Sequence, residues 1–317
     1  MTGMNSPGHA IVLGECLIEL VRTGPAAMST RPAGDTFNTA SMLVRASRAL
    51  GSRLEVAYRT GLGDDPLSDA IADGMREQGL VDASVRLPGR ACGLYLLDPT
   101  TGDMWYWRGD SAARTLFQGE TWLPEGHADL VFLSLITLQQ MSEVARDRAA
   151  EWLASVRDAG GTVAFSANHR AAGWVSSASA GAAAARFAGE ADLVFASAAD
   201  CRALFGTPDP GSSLDRLMEL GAGEAIVTDG EEGASVSAEG ERLHVPAVGP
   251  AALVDATGAG DAFAGAYLAW RSAGRPPEDS AHAAARIASQ IVTFVGALPQ
   301  ADASGLDDLL RELARES

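Results

Sequence analysis

The stretch LVDATGAGDAFAGAYL (253–268) sets a single carboxylate, Asp261, directly behind the small residues Gly258, Ala259 and Gly260. Residues that small let a ligand approach the backbone closely, and the apolar pattern from Ala262 to Trp270 predicts a helix opening at this turn. Unpaired amides at a helix start make a cradle for an anion. A carboxylate beside it is placed to take the proton of an attacking hydroxyl while the amides hold phosphoryl oxygens, which is the chemistry of phosphoryl transfer. On spacing alone, Asp261 reads equally well as an acidic residue answering the helix dipole. The pattern is not a dinucleotide fingerprint, because Phe263 stands where GxGxxG needs its last Gly and the motif does not follow a first strand.

Composition narrows the chemistry further. All 24 cationic side chains are Arg, and the absence of Lys excludes a Walker A loop, a kinase strand lysine and a lysine Schiff base. The formal charge of -17 predicts no nucleic-acid partner, so an anionic substrate must be met by a few local Arg residues. Cys16, Cys92 and Cys201 are scattered and the five His form no HxxxH pair, which predicts neither disulfides nor zinc. With no membrane-length apolar run and no secretory signal pattern at the start, a cytoplasmic protein with no membrane partner is expected.

The elements that must position these residues follow an α/β rhythm. Apolar runs at 10–20, 54–63, 129–134, 161–168, 191–197 and 224–230 predict strands, and helices are expected over 38–50, 66–79, 142–159 and 176–189. Continuous apolar strands point to a mainly parallel central sheet covered by helices on both faces. ACGLYLLDPTTGDMWYWRG (91–109) breaks the rhythm as a hairpin, either a small lid or an ordinary edge hairpin. GTPDPGSS (206–213) reads as a loop, and the chain closes on an amphipathic helix carrying Leu306, Leu309, Leu310 and Leu313. With 47% hydrophobic residues, residues 1–317 can form one large domain, its lid built mainly from about 14–32 and 88–110.

DATGAGDAFAGAYL is similar to the C-terminal motif of the PfkB, or ribokinase-like, sugar kinases, and AGDTFNTASMLVRAS (33–47) resembles their N-terminal motif. GLGDDPLSDAI (61–71) and IVTDGEEGA (226–234) extend the likeness over nearly the whole chain. Within the family, GECLIEL (14–20), AGDTFNTA (33–40), WYWRGDSAA (105–113) and NHRAAGW (168–174) resemble, in order, the segments of 2-keto-3-deoxygluconate kinases.

The resemblance implies a ribokinase-like fold with a β lid and an ATP- and Mg²⁺-dependent kinase that phosphorylates the C6 hydroxyl of a keto-deoxy sugar acid. It also leaves room for a kinase of another sugar and for a non-catalytic sugar-binding regulator. It implies Asp261 as base, with Gly258, Ala259 and Gly260 as the anion hole. Gly34, Asp35, Asn38, Tyr95, Tyr106, Arg108 and Arg170 match positions that contact the acceptor, an Arg fork being suited to a carboxylate. Core packing for the tyrosines and solvated charge for the arginines stay open as plain alternatives. Ser197, Thr228, Gly230, Gly233, Gly258, Gly260, Ala285 and Ser289 fall on the nucleotide side, where small residues in 283–290 also suit a close-packed helix. By the same likeness Asp255 and Thr257 hold a monovalent cation such as K⁺, although Asp255 also reads as a turn residue. Two departures stand out: SAAD (197–200) replaces the family's Asn-x-x-Glu, leaving Asp200 to hold a water on Mg²⁺, and Ser166 stands where an Asp is expected. Trp105 and Trp107 fall on the other side of their strand from Tyr106, which fits packing or a dimer formed through the lid.

Overall fold

A computed structural model describes residues 8–24, 26–98, 101, 103–119, 121–124, 126–249, 252–298 and 305–316. In chain order the strands are β1 (His9–Leu13), β2 (Leu17–Gly24), β3 (Ala27–Ala33), β4 (Glu55–Arg59), β5 (Gly61–Leu62), β6 (Val81–Asp82), β7 (Val85–Arg86), β8 (Gly93–Leu97), β9 (Met104–Trp107), β10 (Leu130–Ser134), β11 (Thr162–Ser166), β12 (Leu193–Ser197), β13 (Glu224–Thr228), β14 (Ala234–Ala238) and β15 (Glu241–Val245). The helices are α1 (Asp35–Ala49), α2 (Pro66–Gln78), α3 (Ala112–Gln118), α4 (Leu135–Gln140), α5 (Glu143–Asp158), α6 (Ser177–Gly189), α7 (Ala198–Phe205), α8 (Pro210–Leu220), α9 (Ala259–Ser272), α10 (Pro277–Ile291) and α11 (Leu306–Glu316).

Nine strands form the main sheet in the order β15-β14-β13-β12-β11-β10-β1-β4-β6. From β13 to β6 they run parallel, and β14 and β15 return antiparallel at one edge. The central parallel strands are largely apolar because both their faces are covered: alternate side chains enter two separate cores. Val12, Phe132 and Phe195 pack with α1, α9 and α10, whereas Ile11, Val131, Val163 and Val194 pack with α5, α6 and α8. The expected α/β architecture is thus present, with helices on both faces.

The run 10–20, read as one strand, is two strands in two sheets. Gly14, Glu15 and Cys16 break it, and β2 leaves to join a second sheet ordered β3-β2-β8-β9. This four-stranded sheet contains the predicted hairpin as β8 and β9, paired antiparallel, while Pro99, Thr100 and Gly102 of its turn lie outside the described residues. The segment expected as a loop at 206–213 instead opens α8: Pro210 takes the first helical position and Asp209 caps it by accepting from the Ser212 amide at 2.8 Å. Proline and an Asx cap are start signals as much as loop signals, and here the start prevails. Among the described residues no helix is long and apolar enough to cross a membrane.

One contact fixes the centre of the molecule. α1 and α9 cross at Gly265, where a Cβ would lie 2.4 Å from the Thr39 carbonyl oxygen. Only a bare glycine lets the two helices come this near, and their proximity brings Asn38 within reach of Asp261.

Candidate active site

Asn38 Nδ2 donates to Asp261 Oδ2 at 2.8 Å, joining the two sequence motifs. Asn38 is only 4% exposed, and its Oδ1 has no hydrogen-bond partner among the described residues. A buried acceptor left open in this way costs free energy unless a donor arrives, so it can accept from a ligand hydroxyl. Asp35 lies one turn earlier on α1 and accepts from Asn168 Nδ2 at 3.4 Å.

Burial, followed by the negative charge of Asp35, pushes the Asp261 carboxyl up to about 7; the Asn38 hydrogen bond and the Arg170 charge pull less strongly the other way. An acid that merely answered a helix dipole would titrate below its ordinary range. Asp261 does the reverse, and a group near neutrality is suited to move a proton in either direction.

The helix start predicted at this turn is observed. Gly258 is the N-cap of α9 at φ 80, no side chain among the described residues caps this terminus, and the first α-helical bond runs from the Ala262 amide to Gly258 O at 2.8 Å. The Ala259 amide differs from expectation: it closes a turn on Ala256 O at 3.3 Å, so only as a shared donor could it face an anion. Behind the turn lies Ala297, whose carbonyl oxygen a Cβ at Gly258 would meet at 2.5 Å.

Asp255 braces this turn. Its Oδ1 accepts from the Thr257 amide and hydroxyl at 2.9 and 2.6 Å, and its Oδ2 accepts from the Gly296 amide at 2.7 Å. Burial alone would raise this carboxyl, but those donors outweigh it and hold it below the usual range. Asp255 is therefore a turn residue here, and its Oδ2, which accepts a single hydrogen bond, keeps a lone pair that a monovalent cation could use.

The acceptor-side residues are less free than their types suggested. Arg108 Nη2 pairs with Glu15 Oε2 at 2.5 Å, and Glu15 is 2% exposed. Burial raises the Glu15 carboxyl more than Arg108 lowers it. Tyr95 packs with Leu17, Val21, Ala33 and Leu97 and donates its hydroxyl to Glu19 Oε1 at 2.5 Å, so the packing alternative describes it better than a free sugar contact. Tyr106 is exposed and stacks on Tyr95 with ring centroids 5.5 Å apart. Arg170 is exposed as well, with Nη1 on His169 O at 2.9 Å. Gly34 is needed for close approach, since a Cβ there would stand 2.4 Å from Glu15 O. Glu15, Glu19 and Arg31 were not singled out from the sequence; the available signal was an acid inside the apolar run CLIEL.

On the nucleotide side, Ser197 and Thr228 end β12 and β13 in direct register at the carboxyl edge of the sheet, the edge where open α/β sheets bind ligands. Ser197 caps α7, and its hydroxyl bonds Asp200 Oδ2 at 2.6 Å; Asp200 Oδ1 accepts from the His169 amide at 3.1 Å. Each Asp200 oxygen retains a lone pair for water, which fits an ion held through waters and few carboxylates. Among the described residues no three His, Cys, Asp or Glu side chains gather as a metal cage. Gly230 and Gly233 adopt φ 55 and 101, and Gly233 is pressed against Val245 O. Ser289 is partly exposed, but Ala285 is buried in the core beside α9, which fits the close-packed-helix alternative. Ser166 ends β11 opposite Ser134, so a hydroxyl stands where the likeness implied a carboxylate.

The model of the pfkB family carbohydrate kinases matches residues 8–303. The chain belongs to this family. Two of its relatives are the 2-dehydro-3-deoxygluconokinases of Dickeya dadantii (strain 3937) and Escherichia coli (strain K12), 31% and 32% identical over 304 and 299 residues. Each alignment covers 90% of this chain, and 95% and 96% of the respective relative. The crystal structure of aminoimidazole riboside kinase from Salmonella enterica, complexed with aminoimidazole riboside and an ATP analog, superposes with a TM-score of 0.82 at 23% identity, covering 97% of this chain and all of that one. The ribokinase-like fold is therefore established, and this pfkB kinase is a phosphotransferase acting on a sugar hydroxyl.

Proposed function

We propose that this pfkB kinase transfers the γ-phosphoryl group of ATP to the C6 hydroxyl of 2-keto-3-deoxy-D-gluconate. The observation that carries the transfer is the Asn38–Asp261 pair, which sets a half-buried carboxylate beside an open hydrogen-bond acceptor. The acid class of the substrate is supported by Arg108 and Arg170, two guanidinium groups beside a site in a chain of net charge -17, and by the two relatives so named.

ATP with Mg²⁺ supplies the transferable group and neutralises its charge. Asn38 Oδ1 accepts from the sugar and fixes the orientation of the acceptor. Asp261 Oδ takes the C6 hydroxyl proton as the oxygen attacks, and the first-turn amides of α9 hold the phosphoryl oxygens in place of the lysine this chain lacks. Ser197, Asp200, Thr228, Gly230 and Ser289 border the nucleotide. The four-stranded sheet covers the acceptor as a lid and excludes water.

Glu15 already neutralises much of the Arg108 charge, which favours a second reading, a neutral sugar such as fructose. Glu15→Gln/Arg108→Met, which leaves no buried carboxylate unpaired, and Arg170→Met separate the two. For an acid substrate each variant is expected to raise KM by about 10–100-fold, the loss of a hydrogen bond to a charged group. Unchanged KM values in a coupled ADP-release assay, with fructose turned over as well as the sugar acid, would establish the neutral acceptor instead.

The lid is also proposed as the contact of a dimer, because Met104, Trp105 and Trp107 are exposed by 38%, 46% and 57% on one short strand. Light scattering is expected to give twice the chain mass for the native protein and a single chain mass for Trp105→Glu/Trp107→Glu. A native monomer would remove this assembly.

A further inference from the structure

Four residues stand directly opposite one another across the four-stranded sheet. Arg31 on β3 faces Glu19 on β2, Glu19 faces Tyr95 on β8, and Tyr95 faces Tyr106 on β9. Residues in register point to the same face, so the four form one continuous row. Within it Arg31 Nε donates to Glu19 Oε2, Tyr95 donates to Glu19 Oε1, and the two tyrosine rings stack. The Glu19 side chain is wholly buried, and Arg31 is the cation paired with it.

The row does not end at the sheet. Arg31 Nη2 donates to Val295 O at 2.8 Å and Nη1 to Leu298 O at 3.4 Å, across 264 and 267 residues of chain. Gly296 lies between them, and a Cβ there would fall 1.4 Å from Arg31 Nη2, so this loop is shaped around the guanidinium. The same loop donates Gly296 N–H to Asp255, and its Ala297 packs behind Gly258. An uninterrupted chain of contacts thus runs from the exposed Tyr106 ring to the turn that opens α9.

From this we infer that Arg31 is a positioning residue that couples the sheet over the acceptor to the anion cradle, so that the two order together. A guanidinium is suited to the task because its planar fork can hold a carboxylate with one edge and carbonyl oxygens with the other. Arg31 touches neither the reacting hydroxyl nor the phosphoryl position; it acts through Glu19 on the sheet and through residues 295–298 on the turn. The expected signature is a loss of linkage between the two ligands rather than a loss of either binding site.

The second part of the test rests on the acceptor proposed above, and the first does not. In the first, hydrogen–deuterium exchange is followed with AMP-PNP and Mg²⁺ alone. In the native chain the nucleotide analogue is expected to slow exchange in residues 292–298 and also in the strands 93–97 and 104–107. Arg31→Gln alone strands the buried Glu19 charge and risks misfolding, so the decisive variant is Glu19→Gln/Arg31→Gln, which removes both charges. There the slowing should persist at 292–298 and vanish from the strands. Slowing of the strands that survives in the double variant, or that never occurs in the native chain, overturns the inference.

In the second part, AMP-PNP affinity is measured with and without 2-keto-3-deoxygluconate. The native chain should show at least about a 5-fold tightening, and the double variant a factor near 1. Tightening retained in the double variant overturns the inference. A native chain that binds no sugar acid overturns the acceptor assignment instead and leaves the exchange result to decide the role of Arg31.

Discussion

Asp261→Asn is expected to reduce kcat by about 10²–10⁴-fold, the range over which a positioned general base contributes to proton transfer. The substitution keeps the size of the side chain and its hydrogen-bonding capacity, so Asn38 and the turn at Gly258 need not move, and loss of the base is isolated. A coupled ADP-release assay with saturating ATP and sugar measures it, and a rate within a fewfold of the native value would remove Asp261 from the chemistry. The pH dependence gives a second check. With its carboxyl pushed up to about 7 by burial and by Asp35, Asp261 is protonated and inactive as a base below that value. Activity should therefore climb about tenfold per pH unit on the acid side and level off above pH 7, and this limb should disappear in the Asn variant.

The same carboxyl makes a stability statement of opposite sense. Its native pKa lies above its unfolded value, so between about pH 4 and 7 the native chain holds more protons than the unfolded one, and stability falls as pH rises through that window. Above pH 7 the full cost of the buried charge is present. Asp261→Asn should accordingly raise Tm more at pH 8 than at pH 5, so that a variant crippled in turnover is the more heat-resistant protein.

Gly258→Ala is the second large effect. Gly258 sits at φ 80, where an L side chain is strained, and a Cβ would meet Ala297 O at 2.5 Å and Ala297 Cα at 2.7 Å. These are backbone atoms of a loop held by Asp255 and Arg31, so they cannot step aside as a flexible side chain would. The turn must shift, and the amides aimed at the phosphoryl group shift with it. Misplacing one such donor costs about 10²–10³-fold in kcat. KM for the sugar should move little, because Asn38 and Asp35 are on α1 and outside the displaced turn. A kcat within threefold of native would mean that the amides of this turn do not stabilise the transfer.

The sequence carried the turn, the helix start beside Asp261 and the α/β frame with little loss, because each depends on neighbours close in the chain: small residues before a helix, apolar runs between helices. What it did not carry was the state of charge partners brought together from afar. Arg108 looked free until Glu15 was folded against it, 93 residues earlier in the chain. Tyr95 looked like a sugar contact until register placed Glu19 beside its hydroxyl. Asp255 read as a turn residue or a cation ligand, and its bond from Gly296, 41 residues on, was not visible in either reading. The break in GECLIEL was concealed for a different reason, since both halves are strands and only pairing partners distinguish one sheet from another. The helix opening at Pro210 was legible and was misread, because the same Asp-Pro pair can end a loop or cap a helix.

The bare glycine at the crossing of α1 and α9 has a consequence for how a kinase of this build can diversify. Asn38 and Asp261 are fastened to two helices that cannot slide past one another without a clash at residue 265, so the proposed hydroxyl seat and proposed base are inherited as one rigid piece. Tyr95 and Tyr106 are carried by a different sheet, and Arg108 directly follows its last strand. Sequence drift in those strands can retune which molecule is grasped while the reaction performed on it stays the same, giving a scaffold in which substrate taste evolves separately from chemistry.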